Sequence, residues 1–73
     1  MEKTSVYNEE IIRTIEAFLK IHPELRFNQA LFALGVIEMD ENHMIKDKFY
    51  EPSYTTYINI CKHLESRNQE QRL

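Results

Sequence analysis

Few residues in this sequence can end a helix or form a turn, and this scarcity is the strongest constraint on its fold. The 73 residues include one glycine and two prolines, whereas a turn-rich β-sandwich needs a turn signal about every 8–12 residues. Pro23, Gly35 and Pro52 divide the chain, and the most apolar stretch, Leu25–Gly35, lies between the first two of them. The sequence therefore predicts one all-α domain, a small three-helix domain over residues 1–73.

The first segment has the apolar spacing of an amphipathic helix. Its apolar stripe recurs at intervals of three and four residues: Tyr7, Ile11, Ile15, Phe18 and His22. Such spacing places these side chains on one face of a helix. Pro23 disfavours helical geometry in the residue before it. We predict a helix over 6–22, with residues 1–5 loose.

The middle segment predicts a short helix over 26–35 that is apolar on more than half of its circumference. Phe27, Ala30 and Leu34 lie on one face, and a helix of this kind belongs at the centre of a bundle or at an interface. Gly35 is placed where a left-handed residue commonly follows the last turn. We therefore expect Gly35 to end this helix.

Residues 36–52 have no helical period, and three interpretations remain open. The segment could be extended, form a short hairpin with Val36–Ile37, or be irregular. The last helix is predicted over 53–67, beginning at Pro52 or Ser53. Its stripe consists of Tyr54, Tyr57, Ile58, Cys61 and Leu64. Residues 68–73 are polar and are expected to fray.

Parts of the chain resemble a known group of proteins. The residues that carry the resemblance are Pro23-Glu24-Leu25-Arg26-Phe27, Gln29, Leu31 and Asp47-Lys48-Phe49-Tyr50-Glu51. This order is similar to that in small uncharacterised helical proteins of phages, prophages and other bacterial mobile elements. The chain departs from their pattern at Asn28, where they often have glycine, and at Pro52-Ser53, where acidic residues are common. The resemblance implies a bacterial mobile-element setting and no particular activity.

Four polar residues form a predicted structural set: Arg26, Gln29, Asp47 and Glu51. Arg26 opens the middle helix, and a carboxylate from residues 47–51 could pin that segment across it. Removing one partner of a partly buried ion pair is costly, because the other charge is left unpaired. We expect these residues to hold the fold, with ligand or partner contact as the alternative.

Residue spacing argues against an enzyme. Cys61 and His63 are two positions apart on a predicted helix, so their side chains point in different directions. His22, His43 and His63 lack the spacing of metal ligands, and one glycine cannot build a phosphate-binding loop. The sequence predicts no catalytic residue, cofactor or metal.

Composition limits the cellular compartment and the class of partner that we expect. One cysteine allows no intrachain disulfide, which favours the reducing cytoplasm, here that of a bacterial host cell. No apolar run approaches the ~20 residues that span a bilayer. A net charge of −3 disfavours nucleic acid, whose binding depends on clustered basic residues. A chain this short has a small core, so we expect a homodimer or higher oligomer.

Aromatic residues around the start of the last helix give the main functional hint. They are Phe49, Tyr50, Tyr54 and Tyr57. Tyrosine is favoured at interfaces because its ring is apolar and its hydroxyl stays hydrogen-bonded; alternatively, part of the group covers the core. We predict a small non-enzymatic phage or mobile-element protein that binds a host or defence protein, which it could inhibit. Two alternatives remain: a nucleic-acid-binding regulator, and an oligomer that sequesters a small anionic ligand through Arg26 or Lys48.

Overall fold

Three helices form the protein, as the sequence predicts. The computed structural model describes the backbone of residues 3–70 and the side chains of residues 3–67. The helices are α1 (Thr4–Ile21), α2 (Phe27–Ala33) and α3 (Ser53–Glu70). Between residues 3 and 70, β-structure is limited to one isolated antiparallel bridge between Met39 and Ile45. The all-α fold class is therefore confirmed.

The helix ends differ from the predicted ends by a few residues. Helix α1 begins at Thr4, so it includes Thr4 and Ser5, which we expected to be loose. Helix α3 continues through Glu70, three residues beyond the predicted end. Residues 1–2 and 71–73, also expected to fray, lie outside the described residues.

The core lies where α2 and α3 both pack against α1. Its buried side chains are Phe18 of α1, Ala30 of α2, Leu34 directly after α2, and Ile60 of α3. Ala30 is wholly buried, and its small side chain leaves room for close packing in the core. Further apolar residues pack around this centre: Ile11, Ile15, Leu19, Leu25, Ala33, Val36 and Leu64.

Helix α2 ends in a Schellman motif centred on Gly35. The N–H of Gly35 donates to the carbonyl of Phe32 at 3.1 Å, and that of Val36 donates to Leu31 at 2.9 Å. Gly35 has a φ of +78°, a left-handed conformation that glycine adopts without strain. The predicted role of Gly35 as the residue that ends α2 is confirmed.

Gly35 also contacts α3 at a position with no room for a side chain. A Cβ atom at this position would lie 2.3 Å from Cε1 of His63. The His63 ring is itself held by α3, since its Nδ1 lies 2.8 Å from the carbonyl oxygen of Asn59. The single glycine therefore serves both the backbone turn and the close approach of α2 to α3.

Residues 36–52 form an irregular connection that contains two tight turns, one around residues 40–44 and one at residues 48–51. Asp40 accepts hydrogen bonds from the N–H groups of Asn42 at 2.8 Å and Met44 at 3.0 Å. Within this first turn, His43 has a φ of 63°. Of the three interpretations left open, the irregular one is right. The hairpin with Val36–Ile37 does not form, because both N–H groups donate to Leu31 at the end of α2.

Replacing Gly35 tests the close approach. We expect Gly35→Ala to lower the free energy of unfolding by at least about 2 kcal/mol, through the left-handed φ and the clash with His63. In a His63→Ala background, the same change should cost only the conformational part, about 1–2 kcal/mol. Urea unfolding of the four proteins in this cycle measures both values. Equal costs in the two backgrounds would contradict the contact with His63.

Candidate functional site

A polar cluster attaches the 36–52 connection to the helices. Lys48 Nζ donates to the carbonyl oxygen of Gly35 at 2.8 Å and to the carboxylate of Glu38. Asn59 Nδ2, from α3, donates to the same carbonyl and the same carboxylate, each at 3.1 Å. We call Gly35, Glu38, Lys48 and Asn59 the Lys48 cluster. It joins the end of α2, the connection and α3 at one point.

Burial and charge make the Lys48 cluster more than a surface ion pair. The side chains of Lys48 and Glu38 are only 18% and 34% exposed. Lys46 is a second cation 4.0 Å from the Glu38 carboxylate. The hydrogen bond from Lys48, with smaller help from both lysine charges and Asn59, lowers the pKa of Glu38 against the opposing effect of burial. Glu38 is therefore a carboxylate at neutral pH.

The predicted polar set forms local contacts instead of the expected long-range ion pair. The backbone N–H of Arg26 donates to the side chain of Gln29 at 2.8 Å, which helps to begin α2. The Asp47 carboxylate accepts from the N–H of Phe49 at 3.0 Å. Glu51 accepts from the hydroxyl of Thr56 at 2.5 Å. All three bonds are local in sequence; the first two hold backbone N–H groups, and the third joins two side chains.

The expected contact between Arg26 and residues 47–51 is wrong because that segment docks at the other end of α2. Lys48 binds Gly35, which follows the last turn, whereas Arg26 precedes the first. Nine residues of helical rise separate these positions by roughly 13 Å. Within residues 3–67, Arg26 forms no ion pair.

The four predicted partner-binding aromatics separate into two pairs. Tyr54 and Tyr57 pack against Tyr7 of α1, with ring centroids 5.1 and 5.9 Å from its ring. The Cys61 side chain, one turn further along α3, raises the pKa of Tyr57. Tyr54 and Tyr57 therefore help to join α1 and α3, although neither packs against the buried core.

Phe49 and Tyr50 are the most exposed large apolar side chains of the described residues. They are 81% and 89% exposed, and their rings contact each other edge to face at a centroid distance of 4.9 Å. Met44 and Ile45 are also exposed on the same segment. We call Met44, Ile45, Phe49 and Tyr50 the 44–50 surface.

Sequence reasoning did not foresee the Lys48 cluster, although one signal pointed toward it. The last carbonyl groups of a helix lack partners within the helix, and lysine is favoured as their donor. Gly35 follows the end of α2 and is buried, so its carbonyl needs a donor in the same way. The sequence did not show that Lys48, 13 positions later, would supply it.

Other chemistries find little support in the part of the chain that the structure describes. No group of three or more His, Cys, Asp or Glu residues is arranged to hold a metal ion there. None of its helices is long and apolar enough to span a membrane. Lys48, one of two candidate ligands for an anion, is already bound to Glu38 and Gly35.

Comparison with models of known protein families, with curated proteins and with solved structures finds no match to this chain. The contacts described above, and not those of a relative, therefore carry the functional interpretation.

Acid should selectively weaken the Lys48 cluster. The folded pKa of Glu38 is below its unfolded value, which is about 4.3. Its contribution to stability is therefore present above the unfolded pKa and is lost as pH falls through the folded pKa. We expect Glu38→Gln to be less stable than the wild type at pH 7, with a difference that shrinks in strong acid. Urea unfolding at several pH values measures it.

Glu41→Gln is the matched control, because Glu41 is an exposed carboxylate on the same segment. It should change stability little at any pH. A Glu38→Gln effect that is the same at pH 3 and pH 7 would contradict the charged contact between Glu38 and Lys48.

Proposed function

We propose that this chain is a small non-enzymatic protein that binds another protein through the 44–50 surface. The observation that supports this most is the exposed Phe49–Tyr50 pair on a segment whose backbone is held in place. Aromatic side chains contribute much of the binding energy at protein interfaces. Two such rings in contact with each other, and with little else, are available to a partner.

The connection around the 44–50 surface is pre-organised. Lys48 fixes its middle to Gly35 and Glu38, Asp40 closes the turn before it, and Asp47 orients the backbone at Phe49. A segment that is ordered before binding loses less conformational entropy when it binds. This supports a recognition role for the segment rather than a linker role.

The total surface also supports association with a partner. The accessible surface is 6176 Å², whereas a compact monomer of 8.8 kDa exposes about 4,800 Å². The radius of gyration is 13.0 Å, compared with about 11 Å for a compact domain of this length. The fold thus exposes more surface than a compact monomer of this size, which is consistent with association.

Charge favours a protein partner over nucleic acid. Several of the nine basic residues already lie beside carboxylates, and a phosphate backbone is bound through clustered, available cations. The basic residues in such pairs are Arg13, Lys20, Lys46 and Lys48. Together with the resemblance to phage and mobile-element proteins, this leads us to propose a host or defence protein as the partner, inhibited by occupation of its surface.

Truncation of the exposed pair tests the binding surface. We expect the double variant Phe49→Ala, Tyr50→Ala to lose binding to the partner. The loss should exceed about 2 kcal/mol of binding free energy if the pair is the energetic centre of the interface. Its helicity should match the wild type because neither ring lies in the core. The measurement is affinity capture from bacterial lysate, followed by titration of the captured protein.

Ile12→Ala is the matched control, since Ile12 is an exposed apolar residue on α1. It should retain the partner. The proposal is wrong if Ile12→Ala loses binding while the double variant retains it, or if the double variant unfolds and the rings prove to be structural.

The same excess surface leads us to propose self-association into a homodimer or higher oligomer. Exposed apolar side chains on helices, including Ile12, Ile21 and Phe27, are available for it. Sedimentation velocity between about 1 and 100 μM should show a mass above 8.8 kDa that increases with concentration. A single species of monomer mass over the whole range would remove this proposal.

A further inference from the structure

A groove that shares no residue with the 44–50 surface, although Met39 on its edge is bridged to Ile45, lies between the end of α2, residues 37–39 and the second half of α3. Its volume is about 520 Å³, within the range of roughly 300–1,000 Å³ that is usual for small-molecule sites. The residues that line it are Phe32, Ala33, Gly35, Ile37, Glu38, Met39, His63 and Arg67.

Apolar side chains form much of the groove wall. Phe32 and Met39 remain 54% and 50% exposed although they face a concave surface. Gly35 contributes no side chain, so the groove reaches the His63 ring beside it. A flat apolar group that entered here would cover Phe32 and Met39 and remove their surface from water.

Among the described side chains that line the groove, Arg67 is the permanent cation. His63 and Arg67 are four residues apart on α3, so they lie on the same face of the helix. The guanidinium of Arg67 lies 5.4 Å from the centroid of the Phe18 ring, which orients it. The carboxylate of Glu38 is already matched by Lys48 and Lys46. Arg67 is thus the cation that an incoming anion would meet.

The geometry points to a second binding site, which takes a small amphipathic acid with an aromatic body and one carboxylate. The body would lie against Phe32 and Met39, and Arg67 would bind the carboxylate, for which its planar guanidinium is suited. This inference goes beyond the proposed protein-binding function, because it involves neither Phe49 nor Tyr50.

The test compares naphthalene-2-carboxylate with its neutral amide, naphthalene-2-carboxamide, on the full chain. We expect the acid to cause saturable shifts in the ¹H–¹⁵N spectrum at Gly35, Ile37 and His63. The amide has the same apolar body but no charge, so it should bind about tenfold more weakly. This comparison uses only the wild-type protein and does not depend on any variant folding.

Variants then test whether Arg67 is the residue that binds the carboxylate. Arg67→Gln should reduce the affinity for the acid about tenfold while leaving that for the amide unchanged. Lys62→Ala, an exposed cation on the same helix, should change neither affinity. The Phe49→Ala, Tyr50→Ala variant should bind the acid as the wild type does, which separates this site from the protein-binding surface.

Three results would overturn the inference. They are equal affinities for the acid and the amide, shifts centred on Phe49 and Tyr50 instead of the groove, and no saturable shift for the acid at millimolar concentration.

Discussion

The rest of the structure depends on the peptide at Gly35. Its left-handed φ ends α2, its missing side chain admits the ring of His63, and its carbonyl accepts hydrogen bonds from Lys48 and Asn59. Gly35 is buried just after the end of α2, and a buried carbonyl without a donor is costly. This carbonyl accepts one hydrogen bond from the connection and another from α3, so the residue that follows α2 becomes the junction of the fold.

The protein divides into two parts that are stabilised by different physics. Phe18, Ala30, Leu34 and Ile60 form a small apolar core between helices, and its stability comes from area removed from water. The 36–52 connection contributes only Val36 to the packing around that core and is held by hydrogen bonds and charge. Polar contacts of this kind depend on distance and direction, so they fix the position of a segment without much burial.

The sequence was sufficient to predict the local features of the fold. Apolar spacing located α1 and α3, and Gly35 located the end of α2, because these features depend on residues within a turn or two. The packing of segments that are distant in the chain could not be predicted from the sequence. Nothing in Arg26 or Asp47 shows that residues 47–51 cross the last turn of α2 rather than the first. Likewise, Tyr54 and Phe49 look alike in sequence, and only the structure shows that the Tyr54 ring contacts Tyr7 of α1 while Phe49 is 81% exposed.

The separation of the Lys48 cluster from the exposed rings has a consequence for how this chain can change over time. Lys48 points inward to Gly35 and Glu38, while its neighbour Phe49 points into solvent. Substitution at Phe49 or Tyr50 leaves both the core and the cluster intact. Under the proposed function, a lineage that meets a changing partner can therefore alter the contacting residues while it inherits the same scaffold unchanged.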